Sequence, residues 1–432
     1  MSLLVEKLRT TVPEYRNALK DFQKANGDVV ISQVSVGALL GGQRGVLGLL
    51  CDTSLVPPDK GLIIRGIPLM DLVEKSPEET LWLLLTGDLP TKAEVKDLQA
   101  DLAKRNKVPG YVWKMLDAFP KDSHPMAVFN TLILAMERDS IFRKRYDEGM
   151  KKDVYWEAAL EDSLDIIARI GTIGAAVYRW KYDLGPRIEP NADLDWAGNY
   201  AYMMGTKDPD GSFADLMRLY MVLHSDHEGG NVSAHTSHCV ASALSDPYYA
   251  ISAGLNGLAG PLHGLANQEC LAWLEATLKQ FGGNPSDEEL DKFARETLGA
   301  GRVIPGYGHA VLRITDPRFV AFRAFGEKHI PNSPVFKLAC QVYDVVPKIL
   351  QTIQKIKDPW PNVDAMSGSL IHSYGVTQAQ YYTVMFGVSR ALGMCAQLVM
   401  SRAWGEPIER PKSITFEDLK AIVAKKSAAV PA

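Results

Sequence analysis

The stretch YYTVMFGVSRALGMCAQLVM, residues 381–400, is an apolar segment of helical length with one charged residue near its centre. Its length would suit a membrane span, but Arg390 would then place a charge at the bilayer centre, which is costly. The pattern instead predicts a helix buried on nearly all sides in a large soluble core. A buried arginine needs a partner for its charge. Because no acidic residue lies between Tyr381 and Glu406, that partner is either a carboxylate remote in the sequence or a ligand.

Helical patterns extend outward from this segment along most of the chain. Residues 76–85, SPEETLWLLL, begin with a capping serine, a proline at the first helical position and acids in the first turn. Apolar residues recur at helical spacing over 258–278 and 336–356. Strand patterns occur only at 49–52 and 61–65, separated by a Pro-Pro-Asp-Lys turn, and they predict one small hairpin. The sequence shows no rhythm of alternating strands and helices and no fixed repeat, so the predicted class is all-α.

The composition is that of an ordinary globular protein. The 432 residues are 46% hydrophobic and 23% charged, with a formal net charge of −4. These values argue against disorder and give no reason to expect nucleic acid or a membrane as a partner. The five cysteines are scattered without CxxC spacing, which is typical of free thiols in a reducing compartment. The amino terminus shows neither a signal-peptide nor a transit-peptide pattern.

The length exceeds what one hydrophobic core usually holds and predicts two domains. Loops rich in glycine, proline and polar residues at 282–287, 299–308 and 358–361 cluster in one part of the chain. We therefore expect a smaller helical domain, residues 265–379, inserted into a larger multi-helical domain formed by residues 1–264 and 380–432.

Histidines are concentrated in the segment HSDHEGGNVSAHTSH, residues 224–238. Its two His-x-x-His pairs allow the hypothesis of a histidine-metal hydrolase. No HExxH motif or cysteine pair accompanies them, however, and two glycines separate them, so we expect no metal site. We interpret His224, His235 and His238 as hydrogen-bonded interior groups. His227 differs, because the Glu-Gly-Gly-Asn turn after it would present backbone N–H groups to an anion, and it is a candidate ligand residue.

His263 lies in NGLAGPLHGLANQE, residues 256–269, where we expect a helix to begin at or just after the histidine. The positive end of a helix dipole disfavours an imidazolium ion. A neutral ring in this place could donate a hydrogen bond to a carbonyl that is becoming an enolate, as neutral histidines do in other enolising enzymes. The alternative is a capping or packed histidine, and the position alone does not decide between the two.

A third segment, GAGRVIPGYGHAVLR, covers residues 299–313, contains His309 and is followed by TDPR, which ends at Arg318. Its spacing fits neither a P-loop nor a Rossmann turn. Glycines that admit a close ligand, together with a histidine and two arginines, indicate an anionic ligand along the backbone. A flexible surface loop is the alternative.

Asp364 lies in a fourth segment, PWPNVDAMSG, residues 359–368. Its apolar neighbours could desolvate the carboxylate and make it a better base. From the residues alone, an ordinary aspartate in a surface turn is the more common situation.

Arginine binds carboxylates in a bidentate manner, so the set Arg318, Arg390 and Arg410 fits a di- or tricarboxylate ligand. Arg410 lies in a proline-rich tail that could extend to a neighbouring subunit. Neutral histidines, a desolvated aspartate and arginines suit proton abstraction next to the carbonyl of an anionic substrate. A non-enzymatic helical scaffold is the alternative from a different class.

Six ordered motifs closely resemble those of citrate synthases of the eukaryote-like type. Besides the three segments around His227, His263 and His309, they are PWPNVDAMSG, FGVSRALG at 386–393 and ERPKS at 409–413. The resemblance extends from about Lys7 to beyond Lys412. It implies an all-α fold with a large domain, a small domain that closes, and a homodimer built on the large domains.

The resemblance also implies a catalytic trio of His263, His309 and Asp364. Asp364 would remove a methyl proton from acetyl-CoA while His263 hydrogen-bonds the thioester oxygen. His309 would protonate the keto oxygen of oxaloacetate, and citryl-CoA would be hydrolysed to citrate and CoA in the same site. A 2-methylcitrate synthase using propionyl-CoA is a close alternative, because one methylene discriminates by only about 1–3 kcal/mol.

Further residues would bind the two substrates. The carboxylates of oxaloacetate or citrate would be held by His227, Asn231, Arg318, Arg390 and Arg410, the last from the other subunit. Coenzyme A would contact the backbone of the glycine-rich loop and three basic side chains, namely Val303, Gly306, Gly308, Arg313, Lys357 and Arg44. The resemblance implies no metal and no permanently bound cofactor, since acetyl-CoA and CoA are co-substrate and product.

The sequence departs from the family pattern in three places. Met366 stands where many relatives have histidine, and Lys151 and Lys152 stand where relatives have an arginine that helps to bind coenzyme A. The segment after Ile67 is shorter than in animal enzymes. This last departure predicts a bacterial, cytoplasmic enzyme, and the alternative is the mitochondrial matrix if the chain is a processed mature form.

Overall fold

A computed structural model describes residues 2–428 of the chain, and most of them are helical. In chain order the α-helices are α1 (Leu3–Asn26), α2 (Val36–Leu40), α3 (Pro77–Thr86), α4 (Lys92–Arg105), α5 (Gly110–Ala118), α6 (Pro125–Ala135), α7 (Ile141–Asp147), α8 (Tyr155–Lys181), α9 (Trp196–Met204), α10 (Ser212–Leu223), α11 (Val232–Ser242), α12 (Pro247–Leu258), α13 (Ala266–Phe281), α14 (Asp287–Gly299), α15 (Pro317–His329), α16 (Pro334–Leu350), α17 (Asp364–Ser373), α18 (Tyr382–Trp404) and α19 (Phe416–Ala428). A small antiparallel sheet contains β1 (Ser54–Leu55), β2 (Ile63–Ile64) and β3 (Ile67–Pro68). The predicted all-α class is confirmed.

The apolar segment around Arg390 forms α18, the central helix of the core. It packs against α8, α3, α11 and α12. Among residues 2–428, the segment 379–404, which includes α18, is the one helical segment long and apolar enough to cross a membrane. Of its most apolar stretch of 18 residues, 89% is buried. Gly174 of α8 allows α8 and α18 to pack closely, because a Cβ atom there would lie 3.1 Å from Val388 Cγ2 of α18. The predicted buried core helix is thus confirmed.

The predicted capping residue Ser76 caps α3 by exchanging hydrogen bonds with Glu79. Glu79 N–H donates to Ser76 Oγ at 3.2 Å, and Ser76 N–H donates to Glu79 Oε2 at 2.8 Å. This reciprocal pair satisfies donors that the first turn of a helix leaves free. The helix ends at Gly87, whose φ of +85° is a left-handed conformation.

The predicted hairpin is only partly correct. Residues 49–52 form no strand; the first strand begins at Ser54, where the Thr53 and Ser54 hydroxyls donate to the buried Asp226 carboxylate at 2.6 and 2.8 Å. A third strand follows Arg65 and Gly66, whose φ angles of 48° and 84° make the tight turn. A two-residue hairpin turn of type I′ needs positive φ at both central positions. Arg-Gly is not the usual Asn-Gly signal, so the sequence did not predict β3.

The helix expected at or just after His263 begins three residues later, at Ala266. The His263 and Gly264 amides both donate to the Gly260 carbonyl, at 3.0 and 3.1 Å, which forms a turn between α12 and α13. A Cβ atom at Gly264 would lie 2.2 Å from the Leu258 carbonyl oxygen, so only glycine fits this turn. The helix predicted over 336–356 ends at Leu350. Helices α13, α14, α16 and α17 pack on one another, and the division at 265–379 remains a prediction.

Candidate active site

The glycine-rich loop that contains His309 is hydrogen-bonded to the loop that precedes Asp364. Gly308 N–H donates to the Trp360 carbonyl and Asn362 N–H to the Gly306 carbonyl, both at 2.9 Å, and Asn362 Nδ2 donates to the Gly308 carbonyl at 3.0 Å. Gly306 has a φ of +82°, and a Cβ atom there would lie 2.8 Å from Ala365 Cα. The glycine-rich loop therefore contacts the first turn of α17 directly.

His309 has a defined neutral tautomer. The backbone N–H groups of Val311 and Leu312 donate to its Nδ1 at 3.0 and 2.9 Å. Since Nδ1 accepts two hydrogen bonds, the proton of the neutral ring is on Nε2. Burial, followed by the charge of Arg318, lowers the pKa of His309 to about 4. The ring is therefore a neutral donor through Nε2–H near pH 7.

His263 has the opposite tautomer. Ser233 N–H donates to its Nε2 at 3.3 Å, and Ser233 Oγ lies 3.0 Å from the same nitrogen. The proton of the neutral ring is therefore on Nδ1. Burial, followed by the charge of Arg390, lowers the pKa of His263 to about 4. The ring also makes an edge contact with Phe386, with centroids 6.0 Å apart.

Asp364 is the first residue of α17, and within residues 2–428 its carboxylate receives no hydrogen bond. Its own N–H donates to Asn362 Oδ1 at 3.0 Å. Burial raises the pKa of Asp364, the charges of Arg318 and Arg390 oppose this effect and that of Asp316 adds to it, and the resulting pKa is about 6. A carboxylate with these properties is ionised at neutral pH and is a stronger base than an exposed aspartate. The desolvated carboxylate describes Asp364 better than the ordinary surface turn.

Arg390 is 2% exposed and forms no ion pair with a carboxylate in the described part of the chain. Its Nε donates to the His224 carbonyl at 3.0 Å and its Nη1 to Asn231 Oδ1 at 3.2 Å. Its guanidinium carbon lies 4.8 Å from the centroid of the Phe386 ring. Burial lowers the pKa of Arg390 to about 10, whereas the more distant Asp226 raises it. The two neutral oxygens and the face of the Phe386 ring stabilise the Arg390 charge but do not neutralise it. The guanidinium therefore remains available to an anionic ligand.

Arg318 is bound by a carboxylate of its own loop. Its Nη2 lies 2.7 Å from Asp316 Oδ2, and both side chains are nearly inaccessible. Asp316 also caps α15 by accepting from Arg318 N–H at 2.9 Å. This pairing fixes the guanidinium beside His309 and His227, whose pKa values it lowers.

His227 presents an unpartnered nitrogen to the same region. Its Nε2 is buried and has no hydrogen-bond partner within residues 2–428, and its ring centroid lies 5.6 Å from that of His309. Burial, Arg318 and Arg390 all lower its pKa. Asn231 Nδ2 donates to the His227 carbonyl at 2.9 Å, while its Oδ1 caps α11. A buried polar atom without a partner indicates a ligand or water position.

The two His-x-x-His pairs do not converge on one point. His224 is buried, with Nδ1 3.1 Å from the Tyr220 carbonyl oxygen. His235 and His238 instead lie on α11 and contact Glu409 and Glu406. The interior interpretation holds for His224 and His238 but is wrong for His235, whose side chain is 43% exposed. Among residues 2–428 no group of three His, Cys, Asp or Glu side chains could hold a metal ion.

Several residues expected at the site lie on the surface of this single chain. Arg44, Val303, Lys357 and Arg410 are exposed. Arg313 is engaged locally, because its Nη1 donates to the carbonyls of Val311 and Leu312 at 3.0 and 2.6 Å, and to that of His309. These residues remain predictions as ligand contacts.

Sequence reasoning missed four residues that organise the site: Ser233, Asp316, Asn362 and Phe386. For two of them the sequence contains a recognisable local pattern. Asp-Pro before a helix marks Asp316 as a cap, and Phe386 lies four residues before Arg390 on one helix face. Ser233 and Asn362 act across long sequence distances, and no local pattern would have revealed them.

Comparisons with known proteins identify the relatives of this chain. The family model for the citrate synthase C-terminal domain matches residues 42–412. The mitochondrial citrate synthases of Daucus carota and Xiphias gladius are 47% and 49% identical to this chain, and each alignment covers 98% of the chain and 92% of the relative. The crystal structure of citrate synthase from Pyrobaculum aerophilum superposes with a TM-score of 0.78 at 27% identity, covering 90% of this chain and 95% of that one. This chain therefore belongs to the citrate synthase family and is an enzyme that forms citrate from acetyl-CoA and oxaloacetate.

Proposed function

We propose that Asp364, His263 and His309 carry out the condensation. The supporting observation is that backbone and hydroxyl contacts hold the two histidines as neutral rings of opposite tautomer, while the Asp364 carboxylate is desolvated. Asp364 takes a proton from the methyl group of acetyl-CoA. His263 Nδ1–H donates a hydrogen bond to the thioester oxygen, which carries the negative charge of the enolate.

The second step joins the two substrates. The enolate carbon attacks the keto carbon of oxaloacetate, and His309 Nε2–H gives its proton to the oxygen of that carbonyl. Because two backbone N–H groups donate to Nδ1, the ring is orientated before the substrate arrives, which favours fast proton transfer. Water then cleaves the thioester of citryl-CoA, giving citrate and CoA.

We propose that Arg318, Arg390, Arg410, His227 and Asn231 bind the oxaloacetate and citrate carboxylates. Two observations support Arg390 and His227 as members of this set: Arg390 lacks a carboxylate partner within residues 2–428, and His227 Nε2 has no partner there. Buried cations with neutral neighbours attract a dianion strongly. Arg410 would come from the partner subunit.

We propose a coenzyme A site at the exposed rim of the glycine-rich loop. Val303 is 76% exposed. Gly306 and Gly308 are hydrogen-bonded to the loop that precedes α17, so their part in this proposal comes from the family resemblance. The basic side chains of Arg313, Lys357 and Arg44 would bind phosphate groups. Closure of the predicted small domain, residues 265–379, over the larger one would exclude water from this site.

A homodimer is supported by two exposed apolar segments of the large domain. Val30, Ile31 and Leu40 are 75%, 73% and 72% exposed in one segment, and Ile408 and Phe416 are 65% and 68% exposed in the other. Such clustered apolar exposure is typical of a surface that another chain covers. Arg410 lies within the second segment, as its proposed role in the partner's site requires.

Two further properties of the proposed enzyme are its cellular compartment and the acyl-CoA that it prefers. The relatives from Daucus carota and Xiphias gladius are named as mitochondrial, which favours the mitochondrial matrix over the bacterial cytoplasm that the short segment after Ile67 predicted. Both relatives are named as citrate synthases, and the propionyl-CoA alternative is not favoured. Fractionation of source cells tests the first point, and kcat/KM for acetyl-CoA against propionyl-CoA tests the second.

The central experiment follows release of the CoA thiol from acetyl-CoA with and without oxaloacetate. We expect release that depends on oxaloacetate, and loss of it in variants of each member of the trio. Absence of activity in the wild-type protein, with oxaloacetate binding confirmed by calorimetry, would contradict the proposed chemistry.

A further inference from the structure

The C-terminal strap, defined here as residues 405–415, follows α18 and has no regular secondary structure. Two of its glutamates, Glu406 and Glu409, are three residues apart and face α11. On α11, His235 and His238 are also three residues apart and therefore share one face of the helix. The two histidines of α11 thus lie opposite the two glutamates of the strap.

The contacts form a small network. His235 Nε2 lies 3.1 Å from Glu409 Oε1, and His238 Nε2 lies 3.2 Å from Glu406 Oε1 and 3.8 Å from Glu409 Oε2. The backbone adds two anchors, since Glu406 N–H donates to the Ser401 carbonyl at 3.1 Å and Glu409 N–H to Ser242 Oγ at 3.0 Å. The strap is therefore held at both glutamates by side chain and backbone.

The inner half of this network is shielded from solvent. The side chains of His238 and Glu406 are only 12% and 16% exposed, so water and salt screen their attraction less than that of a surface pair. The second carboxylate oxygens of Glu406 and Glu409 are buried and have no hydrogen-bond partner within residues 2–428. Without the histidines, both carboxylates would lose their ion-pair partners on α11, although the charge of Arg402 still acts on Glu406. We therefore expect the histidines to strengthen the attachment of the strap to α11.

Arg410 follows Glu409 directly and lies on the other side of the strap. Glu409 is half-buried against α11, whereas Arg410 is exposed. In an extended chain, consecutive side chains point in opposite directions. Fixing Glu409 inward therefore fixes Arg410 outward, and the prolines at 407 and 411 reduce the freedom of the backbone between them.

Helix α11 also takes part in the site of its own chain. Asn231, its cap, accepts a hydrogen bond from Arg390, and Ser233 in its first turn contacts His263. The same helix thus contacts one site at its amino-terminal end and the strap farther along.

We infer that His235 and His238 are positioning residues for Arg410, holding the strap so that its guanidinium meets oxaloacetate in the partner subunit's site. The inference rests on the proposed function, in which Arg410 crosses to the partner. It assigns Glu406 and Glu409 a role in oxaloacetate affinity although neither contacts the substrate.

A double-mutant cycle tests this inference in the full-length protein. KM for oxaloacetate and for acetyl-CoA is measured by CoA thiol release for wild type, Arg410→Ala, Glu409→Ala and the double variant. Arg410→Ala should raise KM for oxaloacetate roughly ten- to hundredfold, the usual effect of losing a hydrogen bond between charged groups. Glu409→Ala should raise it about three- to tenfold alone and less than about twofold in the Arg410→Ala background, because a residue that acts through Arg410 has no effect without it.

Controls separate positioning from folding. Glu417→Ala removes an exposed glutamate whose ion pair within residues 2–428 is with Lys420, and it should leave both KM values unchanged. Glu409→Gln and His238→Gln, which keep the side-chain size, are measured in the same cycle in case Glu409→Ala alters the assembly, and gel filtration reports the oligomeric state. KM for acetyl-CoA should stay within about twofold throughout, since the strap contacts no proposed CoA residue.

The outcomes are distinct. Multiplicative effects of Glu409→Ala and Arg410→Ala, or an unchanged KM for oxaloacetate in Glu409→Ala and His238→Gln, would overturn the positioning role. An unchanged KM in Arg410→Ala, with citrate still formed, would overturn it as well but leave the catalytic trio intact. Absence of citrate formation in wild type would overturn the proposed function itself.

Discussion

At the scale of single residues, the environment of each proposed catalytic group determines where its proton resides. Backbone donors occupy Nδ1 of His309, and Ser233 occupies Nε2 of His263, so the two rings offer their protons through different atoms. Burial and neighbouring arginines keep both rings neutral. Neutral donors match a weakly acidic enol better than imidazolium ions would, because a proton is shared most effectively between groups of similar pKa.

Replacing Asp364 with Asn removes the proposed base and keeps its size. We expect kcat to fall by about 10²–10⁴-fold, the usual contribution of a general base. The thermal stabilisation by oxaloacetate should persist, because the arginines and His227 remain. The thiol-release assay and a thermal shift with oxaloacetate measure the two quantities. Undiminished kcat in this variant would show that another group takes the methyl proton.

The pKa of Asp364 also predicts the pH dependence. The base acts as a carboxylate, so activity is present above its pKa and is lost as the pH falls through about 6. His263 and His309, with pKa values of about 4, stay neutral across that range. The profile of kcat/KM for acetyl-CoA should therefore show a single acid-side step near pH 6, absent from the residual activity of Asp364→Asn. A flat profile between pH 5 and pH 7 would contradict this assignment.

At the scale of elements, the sequence predicts helices well and contacts between elements poorly. The helix around Arg390 and the Ser76 capping box were predictable because periodicity and capping are local signals. The partners of Arg390, His224 and Asn231, lie far away in the chain, and local patterns do not reveal them. The turn at His263 and the turn before β3 are local, but their residues are not the usual turn signals. Asp364 was recognisable only by resemblance, since its desolvation comes from the packing of α17 against the glycine-rich loop.

The substitution Gly306→Ala tests whether the close contact between the glycine-rich loop and α17 is needed for activity. A Cβ atom at Gly306 would lie 2.8 Å from Ala365 Cα, next to Asp364. We expect kcat/KM to fall at least about tenfold, because displacing a catalytic group by about 1 Å can cost 10²-fold. Gly301→Ala is the matched control: Gly301 lies in the same loop with φ +73°, and its Cβ would meet no atom within 4 Å.

Gly301→Ala should therefore lower stability slightly through its left-handed backbone, by about 1 kcal/mol, and leave kcat/KM nearly unchanged. Steady-state kinetics and thermal unfolding of both variants separate the two effects. Equal losses of activity in the two variants would mean that backbone strain, and not the approach to Ala365, is responsible.

At the scale of the whole molecule, the single chain is incomplete as an enzyme if Arg410 serves a partner's site. Leu40→Glu tests this, because Leu40 is 72% exposed and a charge there should leave the folded chain stable while disrupting a dimer. Sedimentation should show dissociation at concentrations where wild type stays dimeric, and specific activity should fall on dilution in parallel, since each site loses an arginine. Leu89→Glu, at a position 42% exposed outside both apolar segments, should stay dimeric and active. If Leu40→Glu became monomeric yet kept its KM for oxaloacetate, each chain would contain a whole site, and the crossing of Arg410 would be refuted.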